Sequence, residues 1–200
     1  IRVGPIIAGL GLLGVAVALG AQDLFKNLIS GVLVLVEKRF KKGDVIIIEG
    51  IIEGTVEKIG FRSTAIRKFD KSLCFIPNNQ FAEKALTNIT KISNRRINWI
   101  IGLEYKSTTK QLKIICEDIE SKIISRSNSF SVNEENPVIV KIYEFSDSSI
   151  NILVRCFTKT NDFNQLLEAK SLLAVDIKEI VEKRGGSFAF PSQSIYVEKS

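Results

Sequence analysis

The residue types that most often carry out catalysis are scarce in this sequence. It contains no histidine among its 200 residues, which excludes histidine-based triads, histidine general bases and histidine-ligated metals within this chain. Its three cysteines, Cys74, Cys116 and Cys156, lie far apart, which argues against a disulfide framework or a CxxC metal site. There is also no P-loop and no motif that places a nucleophile beside a base. The sequence therefore predicts a protein that is not an enzyme and that uses no metal or cofactor.

One glycine-rich motif does match a known binding loop. Gly9, Gly11 and Gly14 follow the G-x-G-x-x-G spacing of dinucleotide-binding loops. Such a loop needs a strand before it, a helix after it and a βαβ unit around it. Gly4 and Pro5 interrupt the preceding segment, and no second strand pattern follows at the required distance. The dinucleotide interpretation is therefore disfavoured.

A long uncharged segment contains these glycines. Val3 to Gln22 carries no charged residue over 20 positions. As an α-helix rising about 1.5 Å per residue it would be roughly 30 Å long, the thickness of a bilayer's hydrocarbon core. A secretory signal would have a basic start and a shorter apolar run, so we predict a transmembrane helix, with a buried core helix as the alternative. The sequence begins at Ile1 without a methionine, and we interpret it as a fragment that further transmembrane helices can precede.

Small and bulky residues fall on different faces of this predicted helix. Small residues recur at spacings of three and four and form one smooth stripe, which suits close packing of helices in a membrane. The stripe consists of Gly11, Gly14, Ala18 and Ala21. Val15 and Leu19 lie four residues apart on another face. The pattern predicts a ring of helices around a narrow apolar pore, with Val15 and Leu19 at its constriction.

The residues that follow predict a continuation of the helix and its orientation. Asp23 and Lys26 are three residues apart and able to pair on one helix face. Leu28 to Val36 is too short to span a bilayer, so we expect the helix to continue near the membrane interface after a bend. Four basic residues within Lys38 to Lys42 mark the cytoplasmic side. Residues 1–42 thus form the predicted membrane domain.

Two soluble domains are predicted next. Residues 43–92 contain five short runs rich in valine, isoleucine and threonine between turn residues, a pattern typical of a small open, Sm-like β-barrel. Residues 93–191 alternate strand and helix patterns in the order β-α-β-β-α-β of a ferredoxin-like α+β fold. A short C-terminal strand is expected in residues 192–200.

The predicted strands are Asp44 to Glu49, Ile51 to Ile59, Phe61 to Phe69, Leu73 to Ile76, Ala85 to Ile89, Ile97 to Tyr105, Val138 to Phe145, Ile150 to Phe157 and Ile195 to Val197. The predicted helices run from a cap at Ser107 or Thr108 to Ser125 and from Phe163 to Arg184, closed by Gly185 and Gly186.

Six short motifs, spread over nearly the whole chain, occur in an order and spacing found in one family of membrane proteins. They are Ala16 to Asp23, Asn27 to Gly31, Phe40 to Asp44, Gly54 to Val56, Ile76 to Asn78 and Phe188 to Pro191. In these motifs the chain resembles the small-conductance mechanosensitive ion channels. The first two resemble the pore-lining helix, the next three the β-domain, and the last the end of the α/β domain.

This resemblance implies an assembly and a function. Identical subunits, seven in the usual case, would surround a pore in the cell inner membrane, with their C-terminal domains in the cytoplasm. Membrane tension would open the pore, and ions and small osmolytes would pass during hypo-osmotic shock. The partners that the resemblance implies are further copies of the chain, membrane lipids and permeating ions, with no nucleic acid.

The sequence departs from the family pattern at two positions. Asp23 stands where the best-known members have glycine at the bend between the two halves of the pore helix. The bend is therefore expected at Gly20, Asp23 or Gly31. Arg39 replaces the usual proline before the phenylalanine of the basic segment. Neither departure changes the expected fold.

A nucleic-acid-binding module with a membrane anchor is the main alternative. The net charge is +6, and the predicted barrel resembles RNA-binding Sm-like folds. RNA-binding surfaces need exposed aromatic side chains for base stacking. Phe61, Phe69 and Phe75 lie in apolar strand patterns, and we expect them in the core. The basic charge also fits an anion-attracting vestibule in a channel, and the alternative leaves the membrane segment without a role.

Overall fold

The computed structural model describes residues 3–192 of the chain. Within this range the chain forms two compact units, which divide between Lys91 and Ile92. The predicted C-terminal strand, with its centre at Ile195 to Val197, lies outside the described residues.

One long helix begins the first unit. Helix α1 (Gly4–Glu37) contains 34 residues, which corresponds to roughly 50 Å along its axis. Its segment Ile7–Glu37 has a mean hydropathy of 1.7 and is long and apolar enough to cross a membrane. The helix ends at Lys38, whose φ of 50° is the left-handed conformation that commonly closes helices. It is longer than the predicted uncharged segment because the expected interfacial piece continues the same helix.

A five-stranded antiparallel sheet follows α1. Its strands are β1 (Val45–Ile48), β2 (Ile52–Ile59), β3 (Ser63–Arg67), β4 (Leu73–Pro77) and β5 (Leu86–Asn88), arranged in the order β4-β3-β2-β1-β5. Helix α2 (Asn78–Glu83) connects β4 to β5, and a 3₁₀ turn (Ile89–Lys91) ends the unit. Inward-pointing residues such as Ile46, Val56 and Ile66 pack with Phe81 of α2 in one core. The five predicted strands are present, whereas α2 and the 3₁₀ turn were not predicted.

The three phenylalanines expected in this core are exposed instead. The exposed fractions of Phe61, Phe69 and Phe75 are 87%, 63% and 64%. Phe75 neighbours the buried Ile76 in β4, and because side chains alternate across a strand it points to the opposite face. Phe61 and Phe69 lie in the connections on either side of β3, beyond the end of the paired strand. The expectation that these residues are buried was wrong.

Strand β9 lies at the centre of the second unit. The elements are β6 (Arg96–Leu103), α3 (Thr109–Ser125), β7 (Phe130–Ser131), β8 (Ile139–Phe145), β9 (Ile150–Thr158) and α4 (Phe163–Lys183). Strand β9 pairs with β6 along one edge and with β8 and the short β7 along the other, all antiparallel. At the far edge of β6, Leu103 forms a bridge with Phe188, where the chain returns after α4. This order agrees with the predicted ferredoxin-like fold, to which β7 is an addition.

Side-chain caps define the starts of helices α3 and α4. Thr108 Oγ1 accepts from the Gln111 amide at 3.3 Å, and Gln111 Oε1 accepts from the Thr108 amide at 2.9 Å. This reciprocal pair is a capping box, which satisfies two amides at the start of α3. Asp162 accepts from the Gln165 amide at 2.9 Å and caps α4 in the same position. Gly185, with a φ of 68°, follows the end of α4 and stops the helix. The sequence predicted this stop from the pair Gly185 and Gly186.

Candidate functional site

The first half of α1 has no partner within the described chain. Every described side chain from Ile7 to Gly20 is exposed, and a Cβ added at Gly11 or Gly14 would meet no atom within 4 Å. Val15 and Leu19 are 58% and 67% exposed. An apolar helix that is exposed on every side needs lipid or other helices around it. The predicted roles of Val15, Leu19 and the small-residue stripe remain predictions.

The geometry of α1 relates these residues to each other. At about 100° per residue, Val15, Leu19 and Asp23 lie along one face of the helix. The stripe of Gly11, Gly14, Ala18 and Ala21 is centred roughly 120° around the helix from this face. The helix continues through Gly20, Asp23 and Gly31, and the bend at one of these residues stays a prediction.

The second half of α1 is docked on the β-domain of its own unit. Asn27 and Ser30 are buried polar residues of this half, and Val34 is part of the β-domain core. Asn27 Oδ1 accepts from the backbone amide of Asn79 at 3.0 Å, and Asn27 Nδ2 donates to the carbonyl oxygen of Asp23 at 2.8 Å. One side chain thus ties the middle of α1 to the start of α2.

An ion pair adds to this contact and corrects one expectation. Lys26 Nζ lies 2.5 Å from Glu83 Oε1 at the end of α2. The expected pair of Lys26 with Asp23 is therefore replaced by a pair across the interface. Among residues 3–192, Asp23 forms no salt bridge. Its carboxylate stays exposed on the face of α1 that carries Val15 and Leu19.

Gly31 allows the closest approach between α1 and the β-domain. A Cβ added at Gly31 would lie 2.6 Å from Asn78 Nδ2 and 3.0 Å from the Phe61 carbonyl oxygen. Asn78 is itself held in place, because Nδ2 donates to the carbonyl oxygens of Gly60 and Phe61 at 2.9 Å each. Its Oδ1 accepts from Thr64 Oγ1, also at 2.9 Å. A side chain at position 31 would therefore push against a fixed amide.

The basic segment after α1 is held against α2 as well. Arg39 Nη1 donates to the carbonyl oxygen of Phe81 at 3.1 Å, and Arg39 forms an ion pair with Glu37. The rings of Phe40 and Phe81, both buried, lie 5.1 Å apart between centroids. Arg39, which departs from the expected proline, thus makes a contact that proline cannot make.

The described residues contain no cluster of metal-ligating side chains. No group of three or more Cys, Asp and Glu residues within 3–192 is arranged to hold a metal ion. Burial raises the pKa of the Cys156 thiol to about 12 and also raises the pKa of Cys116. Thiols held in the protonated form are poor nucleophiles, so both behave as small core residues.

Helix α1 is apolar enough to span a membrane, and its second half is anchored to a small β-domain, an arrangement typical of a membrane protein whose span continues into an extramembrane domain. The beta-domain family of mechanosensitive ion channels matches residues 23–91, and the C-terminal domain family of the mechanosensitive ion channel MscS matches residues 97–188. The chain belongs to the MscS family of mechanosensitive ion channels.

Individual relatives agree with this family. An uncharacterised MscS family protein of Aquifex aeolicus is 39% identical over 100% of this chain and 53% of its own length. The small-conductance mechanosensitive channel MscMJ of Methanocaldococcus jannaschii is 37% identical over 97% of this chain and 54% of its own length. The closed-state crystal structure of Helicobacter pylori MscS superposes with a TM-score of 0.82 at 28% identity, over 100% of this chain and 76% of that one. The chain spans about half the length, or less, of the curated relatives it matches.

Sequence reasoning missed the anchor of α1. Asn79, Glu83 and Phe81 all lie on α2, which periodicity did not indicate because the helix has only six residues. The motif Ile76 to Asn78 marked the position, since its proline ends β4 and its asparagine begins α2. The residues of α1 that contact this motif lie more than 40 residues earlier in the chain. They could be identified only from the structure.

Proposed function

We propose that this chain forms the pore-lining and cytoplasmic part of a mechanosensitive channel of the inner membrane. Seven copies surround the pore, membrane tension opens it, and ions and small osmolytes pass during hypo-osmotic shock. The observation that carries the proposal is α1 itself, whose first half is apolar and exposed while its second half is docked on the β-domain. Family membership and the named channels among the relatives support it.

The proposed gate is an apolar collar. Val15 and Leu19 are one turn apart on one face, so a symmetric ring of α1 helices would place them at two successive levels around the axis. Water inside a narrow apolar ring loses hydrogen bonds that the wall cannot replace, and the pore then dewets and blocks ions. Gly11, Gly14, Ala18 and Ala21 would allow neighbouring helices to pack closely beside this face.

Serine substitutions test the collar. Leu19→Ser should open at lower membrane tension than the parent. Burial of leucine in the collar stabilises the closed state by at most about 2 kcal/mol per subunit, and serine removes this contribution. Cells that carry it should grow poorly, and patch recordings should show the lower threshold. Val15→Ser should act in the same direction.

A matched control is available on the same helix. Val17 lies roughly 180° from the Val15–Leu19 face, so Val17→Ser makes the same chemical change away from the proposed axis. It should keep the parental threshold. If Val15→Ser and Leu19→Ser also open at the parental tension, the constriction lies elsewhere along α1.

The exposed phenylalanines of the first unit favour one second candidate function, the binding of nucleic acid. Phe61, Phe69 and Phe75 are accessible for base stacking in the isolated chain. That function would require RNA binding that weakens with salt. Absence of such binding, together with tension-gated currents from the full-length protein, would leave the channel as the function.

A further inference from the structure

A cleft of about 1080 Å³ opens in the first unit where α1 ends. Its walls come from the last turn of α1, the basic segment, the end of β2 and the 3₁₀ turn. Five of the residues that line it are lysines: Lys38, Lys41, Lys42, Lys58 and Lys91. A concave surface with this many ammonium groups attracts anions more strongly than scattered surface lysines do.

The two acidic residues of the cleft offset only part of the lysine charge. Asp44 is buried, and its Oδ2 accepts from the Lys41 backbone amide at 3.1 Å and from Asn88 Nδ2 at 2.8 Å. Glu57 is engaged by Arg67, whose Nε and Nη2 each lie 2.7 Å from Glu57 Oε2.

Among the described residues, the lysines themselves have no carboxylate partner. Within residues 3–192 none of the five takes part in a salt bridge, and Lys91 Nζ donates to the Lys38 carbonyl oxygen at 3.1 Å. The cleft therefore combines five lysines with two carboxylates, one of which is paired with Arg67, so its positive charges outnumber its negative ones.

The backbone that carries the lysines is fixed. The turn from Lys41 to Asp44 is closed by the Asp44 carboxylate, and Gly43 adopts a φ of 93° while its amide donates to the Val56 carbonyl oxygen at 2.8 Å. Lys38 has a left-handed conformation at a helix end where glycine is the common residue. The lysines are thus presented from a preformed wall and not from a flexible tail.

Apolar side chains form the remaining part of the lining. Leu35 of α1, Phe40 and Ile59 contribute to it. Leu35 is also exposed, and it lies in the segment of α1 that is apolar enough to cross a membrane. A ligand that matches the cleft carries a negative group for the lysines and an apolar part for this side.

We propose that this cleft binds a phosphate ester, and that the headgroup of an anionic phospholipid is the source that fits its position. Basic clusters beside the cytoplasmic end of a membrane helix attract anionic headgroups, and the apolar wall suits the adjoining acyl chains. Soluble phosphate esters share the same charged group, so the experiment separates the two sources. The lipid source rests on the membrane placement proposed above.

The test measures lipid binding to the full-length protein. The protein is placed in phosphatidylcholine nanodiscs with rising phosphatidylglycerol content, and bound phosphatidylglycerol is counted by native mass spectrometry. The triple variant K41Q/K42Q/K58Q should bind phosphatidylglycerol roughly a hundredfold more weakly, at about fivefold per lysine. Lys38 and Lys91 are left in place because their hydrogen bond joins two walls of the cleft.

Two further variants control for surface charge and for folding. K68Q/K71Q/K84Q removes the same charge from exposed lysines of the same unit outside the cleft, and it should bind within about twofold of the parent. K41R/K42R/K58R keeps the charge and should retain binding. If the cleft variant binds like the parent, or the control loses as much as the cleft variant, the proposal is wrong.

Competition identifies the source of the phosphate. If glycerol 3-phosphate does not displace phosphatidylglycerol, the membrane supplies the ligand; if it binds with the same lysine dependence, a soluble ester does. Lysine-dependent binding of an RNA oligonucleotide without phosphatidylglycerol binding would overturn the proposal. Because binding is counted without recording currents, a failure of the channel proposal would leave this result intact.

Discussion

At the scale of single residues, the position of Asp23 on α1 suggests a role in the ion selectivity of the proposed pore. It lies one turn, about 6 Å, beyond Leu19 on the same face of α1. The nearby Lys26 forms its ion pair with Glu83 and not with Asp23. In a ring of subunits around the proposed pore, each copy would add one carboxylate just inside the collar. Rings of carboxylates favour cations.

Replacing Asp23 by asparagine should therefore shift the channel toward anions. We expect the Asp23→Asn variant to change the cation-to-anion permeability ratio severalfold, and more at low salt, where screening is weaker. Reversal potentials under a potassium chloride gradient measure this ratio. Asp147→Asn removes an exposed carboxylate from the second unit and serves as the control. Equal reversal potentials for Asp23→Asn and the parent would contradict a role of Asp23 in selectivity.

At the scale of elements, the contact between α1 and α2 connects the proposed pore helix to the β-domain. Asn27, Lys26 and Gly31 supply the α1 side of this contact. A force that moves α1 must therefore act on α2 and the β-domain core, unless these contacts break.

Gly31→Ala tests this connection. The added methyl group would lie 2.6 Å from Nδ2 of Asn78, whose side-chain amide is held in place by three hydrogen bonds. Overpacking of this kind costs about 1–3 kcal/mol, more than the roughly 1 kcal/mol that alanine gains over glycine in a helix. We expect faster hydrogen exchange of the α2 amides, including Asn79.

Gly9→Ala is the matched control for this variant. A Cβ at Gly9 meets no atom within 4 Å, so the same substitution there should leave α2 exchange unchanged. Parental exchange in Gly31→Ala would show that α1 is not held by this contact.

In the second unit, a buried carboxylate joins helices α3 and α4. Asp176 of α4 is 4% exposed, and its oxygens accept from Arg126 Nε at 2.6 Å and Arg126 Nη2 at 2.7 Å. Hydrogen bonding to this carboxylate raises the pKa of Arg126, so the guanidinium stays charged. Bidentate bonds of this type are stronger than neutral hydrogen bonds.

Asp176→Asn should destabilise the second unit. Loss of one charged partner costs about 1–3 kcal/mol, toward the lower end because Arg126 is partly exposed to solvent. Lys178→Gln breaks an exposed pair with Glu182 on the same helix and should cost at most about 0.5 kcal/mol. Denaturant unfolding of both variants measures the difference, and equal midpoints would argue against a structural role for the Arg126 pair.

At the scale of the whole molecule, the exposed half of α1 requires partners that residues 3–192 of a single chain do not supply. The small-residue stripe makes a second copy of α1 a suitable neighbour. Close packing at this stripe would set the spacing of helices and so the width of the pore. Assembly and gating should then be sensitive to the same substitutions.

Gly14→Leu should weaken assembly or block a transition of the pore, since enlarging a packed position costs about 1–3 kcal/mol. Native mass spectrometry of the full-length complex counts its subunits, and patch recordings report gating. Val17→Phe also adds four carbon atoms, on the face away from the proposed axis, and should assemble normally. Normal assembly and gating of Gly14→Leu would mean that the stripe faces lipid.

Much of the fold follows from local sequence patterns. The apolar segment, the five short strands of the first unit and the amphipathic helix α3 were predictable, because burial repeats with the period of the element that carries it. The caps at Thr108 and Asp162 set helix starts through contacts within three residues. Such features depend on neighbours in the chain, and a sequence contains that information directly.

The tertiary structure decided which residues meet across the chain. Lys26 could pair with Asp23 on its own helix, but packing of α1 on α2 brings Glu83 closer. Phenylalanine is common in protein cores, yet the register of β4 buries Ile76 and turns Phe75 outward. Gly31 and Asn78 fit together only because α1 lies against the β-domain. These outcomes depend on the relative placement of whole elements, which the pattern within a single element does not specify.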